Sequence, residues 1–174
     1  MNEAVLRRSA VEKAPLLVLA ISVATLAAAY GSQYLGGLEP CQLCLYQRWP
    51  WWAAIGLSGL AVLPTLPAAG QRTLLLLAGI VILGGAAIAL FHVGVEQKWW
   101  AGPASCGGGG QVPASLQDLQ DMMQKRVVPC DTPAWTLLGV SMAGYNALLS
   151  LAVGAGAVFA GIAALRRGQA GQRR

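Results

Sequence analysis

Apolar positions along the chain gather into four long runs: Pro15–Leu35, about Leu45–Leu63, Thr73–Val93 and Trp135–Leu165. A helix rises ~1.5 Å per residue, so ~20 residues cross a hydrocarbon core of ~30 Å. The second run is the shortest, and the fourth has length to spare for tilt or for projection beyond the bilayer. Pro64 and Pro67 close the second run, because a ring clash and a missing N–H stop a helix. The short loop from there to Arg72 makes runs two and three an antiparallel hairpin. The pattern predicts an all-α membrane protein, a four-transmembrane-helix bundle forming one domain. Residues 1–14 precede the first span, 36–44 and 94–134 form two loops on one side, and 64–72 and 166–174 lie on the other. A shorter amphipathic helix is expected over Pro113–Val127, with Leu116, Leu119, Met122 and Met123 on one face and Asp118, Asp121 and Lys125 elsewhere. Pro113 and Ser115 are suitable start signals, and the segment suits either the membrane interface or a cover over the bundle.

Between helices in lipid, contact depends on small residues, since burial of apolar surface gives no preference for protein over acyl chains. Gly56, Gly59, Gly84, Gly85, Gly139, Ala143, Ala157 and Gly161 are expected to supply such contacts.

Composition agrees: 56% of residues are apolar and 11% charged, against roughly a quarter charged in soluble chains. The net charge of +5 is not gathered into a patch that would favour nucleic acid. Basic residues flank the runs instead: Arg7, Arg8, Lys13, Arg72, Arg166, Arg167, Arg173 and Arg174 make eight on one side, against Arg48, Lys98, Lys125 and Arg126 on the other. Lysine and arginine accumulate on the cytoplasmic side, so both termini are expected there. The six tryptophans (Trp49, Trp51, Trp52, Trp99, Trp100 and Trp135) fall at the opposite ends of the runs, as an interfacial belt would. The first run, although it has Arg7 and Arg8 before it and small residues near Ala27–Ala29, is longer than the ~7–15 apolar residues of a cleaved signal and is read as a retained span.

All four cysteines then lie outside the cytoplasm, where disulfides persist. Cys41 and Cys44 are a Cys-X-X-Cys pair; Cys106 and Cys130 are far apart in the long second loop, with Gly107–Gly110 as a pliant tether behind Cys106. A Cys-X-X-Cys ring constrains little of the unfolded chain, so its value is redox. Cys44, at the first turn of the second run, is placed where unpaired N–H groups favour a thiolate. Arg48 follows one helical turn later, where a cation can support that thiolate or an anionic ligand, or simply snorkel to the interface. His92 lies at a similar depth in the third run, and a lone histidine carries only a weak claim to a reactive role. Four cysteines allow three pairings. Both outer loops leave the same end of the bundle, so exchange between pairs is sterically feasible. A tetrahedral zinc site is disfavoured by an oxidising compartment, and no metal is expected.

Thiol electrons must leave through an acceptor. Periplasmic secreted proteins are oxidised by a thioredoxin-like carrier at about −120 mV, so reoxidising it calls for a non-thiol oxidant, and a membrane offers quinones. Several motifs in order carry a resemblance: Pro40-Cys41-Gln42-Leu43-Cys44 with Gln47-Arg48, Phe91-His92-Val93-Gly94-Val95-Glu96, Gly102-Pro103-Ala104-Ser105-Cys106, Pro129-Cys130-Asp131, and Ser141-Met142-Ala143 with Asn146. Together they closely resemble the disulfide bond formation protein B (DsbB) family over nearly the whole chain. The resemblance implies a quinone-dependent thiol oxidase of the bacterial inner membrane with redox-active disulfides Cys41–Cys44 and Cys106–Cys130. It implies that Cys106 forms the mixed disulfide with a reduced DsbA-like carrier, that Cys130 then reaches Cys41, and that the Cys44 thiolate reduces a bound quinone through a transient complex. Arg48, Cys44 and His92 become the quinone-binding residues, with ubiquinone ahead of menaquinone. Two other readings compete. One is a redox protein like vitamin K epoxide reductase, disfavoured because the Cys-X-X-Cys opens the second span. The other is a scaffold with two structural disulfides. A channel fits poorly, since the spans hold almost no charge besides Arg48.

Overall fold

The computed structural model describes residues 3–106, 115–117 and 128–172, with side chains placed from Lys13 to Arg167 within those bounds. Both the expected helix at Pro113–Val127, apart from Ser115–Gln117, and the run Gly107–Gly110 lie outside the described residues. Helices dominate. In chain order they are α1 (Glu3–Tyr34), α2 (Gln42–Tyr46), α3 (Arg48–Ala61), α4 (Ala68–Glu96), a 3-10 turn (Ala104–Cys106), a hairpin of β1 (Thr136–Leu137) and β2 (Val140–Ser141), and α5 (Met142–Gln172).

Among the described residues, three helical segments are long and apolar enough to cross a membrane: Lys13–Tyr34, Ala68–Glu96 and Met142–Arg167. The second apolar run is divided. A break at Gln47 separates the 5-residue α2 from the 14-residue α3, each too short to span by itself, and α3 stops at Val62 ahead of Pro64. The third helix starts five residues earlier than its apolar run, behind Pro67, whose extended backbone serves as the N-cap. The fourth starts later than expected. Leu138 and Gly139 both have positive φ (51° and 78°), a turn that pairs Thr136 with Ser141 and keeps 135–141 out of the helix. Ser141 then caps α5, its Oγ accepting from the Gly144 N–H at 3.1 Å.

α5 packs mainly on α4, α4 also on α3, and α3 on α1. The α4–α5 contact is close because glycines make it so. A Cβ on Gly79 would stand 2.8 Å from the Val158 backbone nitrogen, and one on Gly154 would stand 2.8 Å from Leu83 Cγ. Of the glycines expected to pack, Gly85 (against Pro50) and Gly161 (against Leu76) do so, whereas Gly56, Gly59 and Gly84 face open space and Gly139 serves the turn. The core is a seam of Val18, Leu26, Trp51, Ala54, Leu75, Ala78, Ile82 and Ala157. Leu17, Ile80, Phe159 and similar side chains are exposed on the outside, an apolar surface suited to lipid. Trp51 departs from the tryptophan belt: it is 2% exposed and belongs to this core, while the other five indoles are exposed.

Candidate active site

One end of the bundle gathers the cysteines around His92. Leu38–Pro40 leads the chain to Cys41, the N-cap of α2 with extended backbone (φ −72°, ψ 169°), whose sulfur accepts from the Cys44 backbone N–H at 3.3 Å. The two sulfurs of this pair lie 2.8 Å apart as free thiols. Cys106 and Cys130 are joined as a disulfide, the former placed by the 3-10 turn, and both are buried. Cys41, Leu43, Val95, Cys106 and Cys130 form one buried cluster, so the two pairs are neighbours.

His92, one turn from the end of α4, stands between them. Its Nε2 is 3.6 Å from Cys41 Sγ and 3.2 Å from the Cys130 carbonyl oxygen, with Glu96 Oε1 at 3.9 Å. Its Nδ1 meets Gln47 Nε2 at 2.7 Å. Gln47 Oε1 accepts from Asn146 Nδ2 at 2.6 Å, and Asn146 Oδ1 accepts from Trp51 Nε1 at 2.9 Å. Ser141 donates to Glu96 Oε2. Gln47, His92 and Trp51 are buried, so these bonds are made away from solvent.

Cys41 is held well below the usual thiol range. Its sulfur receives a hydrogen bond from the Cys44 thiol first, then from His92 and the Cys44 backbone N–H, and together these outweigh burial. The helix N–H that the sequence assigned to Cys44 is therefore spent on Cys41, because the sulfur at the N-cap faces the open end of α2.

Arg48 is 9% exposed, and its environment differs from the pairing with Cys44 that helical spacing suggests. Nη1 donates to Gln33 Oε1 at 2.7 Å, and the guanidinium lies over the Tyr30 ring at 4.6 Å from the centroid. Two residues of α1 thus fix the cation. Arg48 and Cys44 do share a cavity of about 310 Å³, walled on one side by α1 (Thr25, Ala29) and on the other by α5 (Tyr145, Leu149). Its lining is mainly apolar and includes Gln47 and His92. A second cavity, of about 290 Å³, opens beside Cys106 and Cys130 and is lined also by Lys98, Trp100, Gly102 and Asp131.

All the residues singled out in the sequence are therefore near one another: Cys41, Cys44, Arg48 and His92 meet at the first cavity, and Cys106 and Cys130 lie behind His92. Cys41 Sγ, Cys44 Sγ and His92 also come within 4.8 Å of one another, a spacing that a metal ion can use. The sequence did not give roles to Gln33, Tyr30, Glu96 or the Trp51–Asn146–Gln47 chain. Asn146 was findable, as a lone amide inside an apolar run needs a buried partner.

Comparison with known proteins agrees with this arrangement. The family model described as disulfide bond formation protein DsbB matches residues 11–160. A disulfide bond formation protein B of Methylococcus capsulatus is 36% identical over 146 residues, 80% of this chain and 87% of that one. One from Albidiferax ferrireducens is 32% identical, covering 76% and 80%. An uncharacterized protein of Rickettsia prowazekii is 31% identical, covering 78% and 79%. No solved structure matches. The chain is thus a membrane protein of disulfide bond formation, and it belongs to the DsbB family.

Proposed function

We propose that the protein is a thiol:quinone oxidoreductase of the bacterial inner membrane that reoxidises a periplasmic, DsbA-like dithiol carrier. In this reading the divided segment 42–61, roughly 20 residues from end to end, completes four crossings. Both termini are cytoplasmic and the cysteines face the periplasm. The observation that carries the reading is Cys44 in the wall of an apolar cavity beside the fixed charge of Arg48, with the second cysteine pair packed against its partner Cys41.

The exchange balances without any other reductant. A carrier thiolate attacks Cys106, and Cys130 leaves as the thiolate. Cys130 then attacks Cys41 of the oxidised close pair, and Cys44 leaves. The carrier's second thiolate releases its disulfide and frees Cys106, which closes on Cys130 and releases Cys41. Two electrons from the carrier now reside on Cys41 and Cys44. Quinone, ubiquinone in preference to menaquinone, is the two-electron, two-proton acceptor. Arg48 and His92 line its site, Arg48 supports negative charge at a ring oxygen, and Cys44, ionised when it leaves Cys41 under attack by Cys130, is the sulfur in contact with it. Re-forming the Cys41–Cys44 bond completes the cycle.

The test is quinone absorbance in a mixture of detergent-purified protein, reduced thioredoxin-like carrier and quinone. Turnover that needs all four cysteines is expected. No turnover with ubiquinone or menaquinone overturns the proposal.

A further inference from the structure

The hydrogen-bond chain Trp51–Asn146–Gln47–His92 crosses three helices and has a direction. An indole N–H can only donate, so the Asn146 atom facing Trp51 is the carbonyl oxygen. Asn146 must then turn its NH2 to Gln47, and Gln47, accepting through Oε1, must turn its own NH2 to His92 Nδ1. That nitrogen is left as an acceptor, without a proton. The other end gives the same answer independently. Nε2 faces the Cys130 carbonyl oxygen, which can only accept, with the Glu96 carboxylate and the Cys41 sulfur beyond. Nε2 therefore holds the proton.

We infer that Trp51, Asn146 and Gln47 are positioning residues that keep His92 neutral and protonated on Nε2, with that N–H shared between the Cys41 sulfur and the Cys130 backbone. Protonating Nδ1 as well would require Gln47 to flip. Its NH2 would then meet the Asn146 NH2, and turning Asn146 to relieve this would set NH2 against the indole N–H. Each flip leaves a buried donor facing a donor, with the desolvation of both uncompensated. The ring is thus a fixed donor and not a proton store. Its role in the reaction rests on the proposed thiol exchange: when Cys41 is released from Cys130, the same N–H that touches both residues is already aimed at the sulfur that becomes a thiolate. The titratable groups facing the ring are Cys41 and Glu96, with Cys44 beside Cys41. One consequence concerns metals. With its proton in place, Nε2 has no lone pair to complete a site with Cys41 and Cys44.

His92 is the only histidine in the chain, so its ring nitrogens can be read without assignment. The experiment is nitrogen NMR of the full chain, labelled with 15N-histidine and held in detergent at pH 7. The expected spectrum has a bare Nδ1 and a protonated Nε2. Asn146→Asp keeps the shape but can only accept. It takes both the indole N–H and the Gln47 amide, turns the Gln47 carbonyl to the ring and moves a proton onto Nδ1. A protonated Nδ1 in the parent protein, or a bare one in folded Asn146→Asp, overturns the inference. Should Asn146→Asp not fold, Trp51→Phe serves instead: freeing the start of the chain gives a mixture of the two ring forms, and a parent-like single form overturns the inference. Quinone turnover of the parent is measured separately. Its absence would remove the reaction role while the ring spectrum still decides the hydrogen-bond direction.

Discussion

The two cysteine pairs share one buried cluster yet have opposite surroundings. Cys41 and Cys44 are enclosed by donors, with Cys44 opening onto an apolar cavity that Arg48 borders. Cys106 and Cys130 are joined to each other, lie against Val95, and look onto a second cavity whose polar lining includes Lys98 and Asp131. Chemistry at a cysteine is set by what surrounds the sulfur. The first environment favours a thiolate beside an apolar cavity; the second holds a disulfide beside a cavity with charged walls. His92, touching Cys41 with its ring and the Cys130 backbone with the same nitrogen, is the point where the two meet.

The strongest way to break this contrast is Cys44→Ser. Quinone reduction should fall to less than ~1% of the parent rate, since the close pair cannot re-form its disulfide without the Cys44 sulfur, while a carrier adduct at Cys106 still forms on a non-reducing gel. Normal turnover would remove the division of labour between the pairs. Arg48→Ala should cut quinone reduction by roughly ten- to a hundredfold, as loss of one charge-stabilising donor does, with carrier capture unchanged. Equal losses in both would mean that Arg48 holds the bundle and not the acceptor.

The lowered Cys41 pKa gives a third test. A thiol whose pKa is depressed stays ionised as pH falls, so in the reduced protein iodoacetamide should still label Cys41 at pH 6. An ordinary thiol, with a pKa of about 8.5, loses reactivity ~tenfold per unit over that range. Peptide mass analysis should find Cys41 modified ahead of Cys44, and the reverse order would place the thiolate on the other sulfur. The smallest effect is expected at Gly102→Ala. The new methyl would stand 3.2 Å from Val95 Cγ1 and 3.5 Å from Cys106 Cβ, a crowding of ~1 kcal/mol or less. It should slow carrier capture slightly and leave reduction of quinone by the reduced close pair unaltered.

The sequence revealed what depends on composition and order. Long apolar runs gave three of the spanning helices, and the Cys-X-X-Cys with Arg48 and His92 marked the residues that meet at the first cavity. It failed where one residue's partner is distant in the chain. Trp51 looks like its neighbours Trp49 and Trp52, and only its contact with Asn146, 95 positions away, separates a core hydrogen-bond donor from an interfacial ring. Arg48 was read as support for the Cys44 thiolate or an anionic ligand, or as a snorkelling cation, and its partners Gln33 and Tyr30 on another helix were not foreseen. The start of α5 was missed because 135–141 is as apolar as the helix that follows, and only the positive φ at Leu138 and Gly139 shows a turn.

The glycine seam between α4 and α5 is a datum for measuring height in this molecule. Gly79 is thirteen residues before His92, ~20 Å along α4, and Gly154 is eight residues after Asn146, ~12 Å along α5. Backbones that meet where no side chain can be added have few ways to slide past each other. The depth of His92 relative to Asn146 is therefore calibrated far from either residue. Substitutions at this seam, with no cysteine nearby, would read out as misalignment at the cysteine end of the bundle.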